Sequence, residues 1–76
     1  MTKEEKFLVE LYLAGADKSH DVCVMSAKVG INPKLCHSFI KTMVRTNFVR
    51  WKEEGFVMLT ANGITLAKSL LKNLKG

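Results

Sequence analysis

Between Val22 and Lys52 the chain has no aspartate and no glutamate. The same stretch carries six cations: Lys28, Lys34, Lys41, Arg45, Arg50 and Lys52. Other absences narrow the field further. No apolar run is long enough to span a bilayer. The N-terminal apolar residues follow acids and are broken by Glu10, which is not the pattern of a signal peptide. Two cysteines, Cys23 and Cys36, make no disulfide framework and point to reduced thiols in a cytoplasmic protein. There is no glycine-rich phosphate loop and no nucleophile–base pattern, so the expectation is a chain that is not an enzyme. Linkers, internal repeats and low-complexity tracts are also missing.

What is present is short and unevenly charged. The 76 residues make one small domain, expected over 1–76. A domain of this size buries only about 60% of its unfolded surface and has little room for an enclosed active site. Residues 1–21 carry a net charge of −2, residues 22–52 carry +6 and residues 53–76 carry +1, giving the overall +5. Such asymmetry points to an anionic partner for the middle of the chain.

Local signals divide the chain into elements. Thr2 and Glu5 have capping-box spacing, so a helix starts at Lys3. Phe7, Leu8, Leu11 and Ala14 form its inner stripe, and Gly15 ends it. Glu4, Glu5 and Glu10 belong to its solvated face. Ala16 to His20 reads as a polar turn. Asp21 caps a short second helix, in which Val22, Met25 and Val29 keep helical spacing around Ser26 and Ala27. Gly30 suits a left-handed helix end, and Ile31 turns back to the core.

Asn32 then caps, and Pro33 opens, a third helix running to about Thr46. Leu35, Cys36, Phe39, Ile40, Met43 and Val44 give it a wide apolar stripe. Asn47 suits a left-handed stop. Phe48 to Lys52 reads as a strand and Phe56 to Leu59 as its partner, joined by the tight turn Glu53-Glu54-Gly55. Thr60 caps a last helix with Ile64, Ala67, Leu70, Leu71 and Leu74 in register. The expected class is mainly α with a small β-hairpin.

Helix, short helix, turn, longer helix, hairpin, helix is an order that resembles the winged helix-turn-helix superfamily, in particular small prokaryotic regulators of the MarR-like kind. Val22, Met25, Ser26, Val29, Gly30 and Ile31 carry the likeness in the first half of the motif. Phe39, Ile40, Met43, Asn47, Phe48 and Val49 carry it in the second. Leu59-Thr60-Ala61-Asn62-Gly63 looks like the leucine-threonine-x-x-glycine start of the helix after the wing. The resemblance covers nearly the whole chain. It implies a transcription regulator whose third helix, Pro33 to Thr46, enters the major groove of double-stranded DNA.

Carried over by position, the groove-facing side chains are Lys34, His37, Ser38, Lys41, Thr42 and Arg45. Lys34, Lys41 and Arg45 suit phosphates, and His37, Ser38 and Thr42 suit base edges. Arg50 and Lys52 could reach the DNA backbone from the wing strand. The sequence departs from the family pattern at the wing tip, where Glu53 and Glu54 stand in place of basic residues. Trp51 is expected to pack across the sheet, with stacking on a partner as the other reading. The resemblance further implies a two-fold dimer through the first and last helices. Val9, Leu13 and Leu66 are expected off the core for that contact, with Leu70, four residues after Leu66, beside them. A different class of function stays open, a protein-interaction module of the same fold, which the acidic tip and the exposed apolar pairs would suit.

No cofactor is expected. His20, Cys23, Cys36 and His37 include the usual zinc-ligand types. Cys36 and His37, however, are adjacent on a helix and diverge by about 100°. Cys36 also falls on the apolar stripe, so a structural cysteine is the better reading. A redox switch at Cys23 lacks a C-x-x-C partner.

Overall fold

The computed structural model describes residues 2–75, with side chains described through residue 73. It is mainly helical with a small antiparallel sheet. The elements are α1 (Lys3–Gly15), β1 (His20–Asp21), α2 (Val22–Val29), α3 (Pro33–Arg45), β2 (Val49–Glu53), β3 (Phe56–Leu59) and α4 (Ala61–Lys75).

The caps form as the sequence predicts. The Thr2 hydroxyl accepts from Glu5 N at 3.2 Å, and the Glu5 carboxylate accepts from Thr2 N at 2.8 Å. The Asp21 carboxylate accepts from Cys23 N at 2.8 Å, and the Asn32 side chain accepts from Lys34 N at 2.8 Å. Between α2 and α3 the chain reverses at Gly30, whose φ of 76° is left-handed. Ile31 N closes α2 on Ser26 O at 3.0 Å, and its side chain is buried. Asn47, at φ 65°, ends α3 in the same way.

The sheet corrects one expectation. It has three strands, ordered β1-β3-β2, and not two. His20 and Asp21, expected in or beside a turn, pair with Val57 and Phe56. Two residues are too few to show period-two alternation, which is why the strand is invisible in the sequence. β2 also begins at Val49, one residue later than expected. Phe48 N is spent on Met43 O at 2.8 Å, closing α3, while Phe48 O accepts from Thr60 N at 3.1 Å.

The core joins Phe7, Leu8 and Leu11 of α1 to Val22 and Met25 of α2, to Cys36, Ile40 and Met43 of α3, and to Val49, Val57 and Leu59 of the sheet. α1 packs on both α2 and α4. Its buried arc therefore differs from the expected stripe, and with α4 three expectations fail. Val9 is only 5% exposed, beside Val29 where α1 meets α2, while Ala14 is exposed. Leu66 packs against the core and Leu70 is half-buried. Of the four residues expected to form a dimer patch, only Leu13 is fully outside, at 62% exposure. On α3 the stripe is narrower than expected, because Leu35 and Val44 are exposed. The inward place expected for Leu74 lies outside the described side chains.

The start of α4 lies close against the end of α3. Thr60 Oγ1 donates to Asn47 O and accepts from Gly63 N at 3.2 Å, so it caps α4 and ties it to the end of α3. A Cβ on Gly63 would lie 1.9 Å from Phe48 O. Glycine is required there for contact between two backbones, not for an unusual φ.

Candidate nucleic-acid interface

The site starts with what holds α3 still. Cys36, Ile40 and Met43 are each 2% exposed or less and seat one side of the helix on the core. Burial pushes the Cys36 thiol up from an ordinary 9.0 to about 11, while the Ser26 hydroxyl beside it acts weakly in the opposite sense. Cys36 is thus a neutral thiol at ordinary pH, packed in the core. The helix turns about 100° per residue, so Lys34, Ser38, Lys41 and Arg45 fall within about 60° of one another, opposite that seat. All four are exposed. Three cations and a hydroxyl therefore share the outward face of one rigid element.

The remaining candidates lie elsewhere. Thr42 sits on one flank, lining a cleft of about 310 Å³ with Thr2, Leu8, Phe48 and Leu66. Its hydroxyl donates to Ser38 O at 3.2 Å, so its donor is already used. His37 sits on the other flank, towards β2. Its ring centroid is 6.0 Å from that of Trp51, with the planes tilted by 30°.

The six cations do not form one patch. Lys28 lies with Lys6 and Glu10 around a shallow depression between α1 and α2. Arg50 pairs with Met58 across the sheet, and its guanidinium rests 3.5 Å from the Met58 sulfur. Val49, Trp51, Val57 and Leu59 belong to the other side of the sheet, because facing and alternate residues share a side. Arg50 consequently points away from the α3 side. Lys52 is the extra residue of a bulge between Trp51 and Glu53. The bulge draws Glu53 into the strand and leaves Glu54-Gly55 as the turn.

Trp51 differs from its expected role. Val49, Val57 and Leu59 on the same side are buried, but Trp51 is 41% exposed and leans on His37. The sequence marks Trp51 as unusual, being the single tryptophan. It carries no signal for the partner, which depends on strand register and on the bulge. His20, in turn, has a structural duty. Its Nε2 lies 2.8 Å from Gly15 O, and since a carbonyl only accepts, that nitrogen is the donor.

No protein-family model matches the chain, and neither a curated protein nor a solved structure matches it. The function of this surface therefore has to follow from its own residues. Among the described residues, no three His, Cys, Asp or Glu side chains converge as metal ligands. No helix among them is long and apolar enough to cross a membrane.

Proposed function

We propose that this chain is a winged helix-turn-helix domain that binds double-stranded DNA and regulates transcription, with no catalytic activity of its own. The observation that carries the reading is the outward face of α3. Lys34, Lys41 and Arg45 are exposed together on a helix whose opposite side is locked into the core. Phosphate affinity comes from such cations, and a helix follows the major groove when its base-reading side chains are fixed to a rigid seat. Ser38 lies among the three cations and His37 beside them, as the two short polar groups that suit base edges. Thr42 donates to no base, since its hydroxyl proton is used within the helix. The proposal gives Arg50 a minor part, since its guanidinium rests on Met58. It does not include the dimer. Val9 and Leu66, two of the four residues expected at that contact, are committed to the core, and of the four only Leu13 is fully outside.

The test is duplex binding measured against salt. The triple variant Lys34→Ala, Lys41→Ala, Arg45→Ala should lose about a hundredfold in affinity and about two to three from the slope of log K against log salt. Equal binding by wild type and triple variant, or no duplex binding by wild type at low salt, sinks the reading. The second outcome would favour the protein-interaction module, for which Leu13, Val24 and Leu35 supply exposed apolar side chains.

A further inference from the structure

The outward face of α3 accounts for phosphate contact, and His37 on its flank offers a polar edge, but the indole of Trp51 that His37 meets has no part in that contact. Trp51 and His37 come from different elements, β2 and α3, and meet at 6.0 Å between centroids and 30° between planes. That separation lies within the range of favourable aromatic pairs, so each ring helps to hold the other. Both remain exposed. An indole that only sealed the edge of the sheet would be expected to sink beside Val49 and Val57, which share its side and are buried. It instead stands out at the junction between the α3 flank and the hairpin. Lys41 follows His37 by one turn on α3, and Lys52 is next to Trp51.

We propose that the His37–Trp51 pair is a stacking platform for an unpaired nucleobase next to the duplex held by α3. This inference rests on the DNA-binding reading and deepens it. Aromatic side chains flanked by cations hold unpaired bases through their π-faces, whatever the sequence. A base inside an intact duplex has both faces covered by its neighbours and cannot use the platform. The acidic tip acts in the same direction. Glu53 and Glu54 stand just beyond Trp51, and an uninterrupted duplex running past it would bring phosphates against two carboxylates. A duplex interrupted by an unpaired base can turn aside from the tip while the base rests on the indole. The platform thus gives preference for an interruption, and α3 supplies the grip on the paired part.

Two duplexes of identical length and charge test this, one with a single unpaired thymine and the other with an abasic unit at the same position. An uninterrupted duplex serves as the reference. Wild type should bind the thymine duplex about tenfold more tightly than the abasic one, a size typical of one base stacked on an aromatic ring. Because Trp51 is the single tryptophan, its emission should be quenched by the thymine duplex and much less by the abasic one. Trp51→Ala should erase the tenfold preference while still binding the uninterrupted duplex. Trp51→Phe should keep part of it, and this variant decides the matter if the alanine variant fails to fold. Equal affinity of wild type for the thymine and abasic duplexes overturns the platform and leaves the duplex reading standing. Absence of binding to all three DNAs overturns both.

Discussion

The outward face of α3 and the β2–β3 hairpin take their cations from one acid-free run, yet they end as opposites. On α3, three cations project from a helix seated by Cys36, Ile40 and Met43. On the hairpin, Arg50 turns to the far side of the sheet, Lys52 falls on a bulge, and Glu53 and Glu54 occupy the end. Helical rotation collects residues three, four and seven apart, while a strand sends alternate residues to opposite sides. Cations drawn from one run therefore become a coherent face in one region and a scattered set in the other. A window of sequence charge measures opportunity, and the element type decides whether it becomes a surface.

The largest effect expected is loss of the frame that both regions share. Gly63→Ala would force a methyl into Phe48 O, at the junction of α3, β2 and α4. The backbone cannot yield as a side chain would, so the cost should reach about 3 kcal/mol or more. In a domain this small, that lowers Tm by more than about 12 °C or removes the cooperative transition, as read by circular dichroism. A Tm within a few degrees of wild type would show that α4 can shift away, and that the two regions are less firmly joined.

Charge removal should separate α3 from the hairpin. The triple α3 variant should weaken duplex binding about a hundredfold, whereas Arg50→Ala should change it by about twofold or less. If Arg50→Ala costs as much as Lys41→Ala, the hairpin grips DNA as α3 does, and the contrast drawn from the Met58 contact fails.

Alkaline pH probes the seat of α3. Cys36 has a folded value of about 11 against an ordinary 9.0. A raised value means the unfolded chain loses the thiol proton first. The stability this contributes is fully present below about pH 9 and is lost as pH rises towards 11. Denaturant midpoints should fall through that window more steeply for wild type than for Cys36→Ala. Parallel curves would mean that the thiolate is accommodated without disturbing the helix.

The smallest effect concerns the tip. Glu53→Gln with Glu54→Gln removes repulsion at an exposed, screened position, so affinity for an uninterrupted duplex should rise only a few-fold and only at low salt. It should also narrow the preference for the duplex carrying an unpaired thymine. A loss of affinity would mean that the carboxylates contact a partner directly.

Much of the fold was legible in local chemistry. Thr2 with Glu5, Asp21, Asn32 with Pro33, and Thr60 act on backbone groups within a few residues, so each cap can be read without knowing the rest of the chain. Gly30 and Asn47 mark left-handed stops for the same reason. The strand at His20–Asp21 was not legible, because its pairing with Val57 and Phe56 spans more than thirty residues. The candidate face was legible in part. Lys34, Ser38, Lys41 and Arg45 follow from helical period alone. Val9 looked exposed because a one-stripe view of α1 ignores a second neighbour, α2.

Local sequence sufficed for where the helices begin, where α1 and α2 stop and α3 stops to within a residue, which side of α3 is apolar, and the concentration of positive charge between Val22 and Lys52. Those properties are set by contacts within one or two turns and by composition. Only the tertiary structure decided that Arg50 leaves the α3 side, that Lys28 belongs to the α1–α2 surface, and that Trp51 meets His37. Each depends on strand register, a bulge or the docking of separate helices, where a shift of one residue sends a side chain to the opposite face.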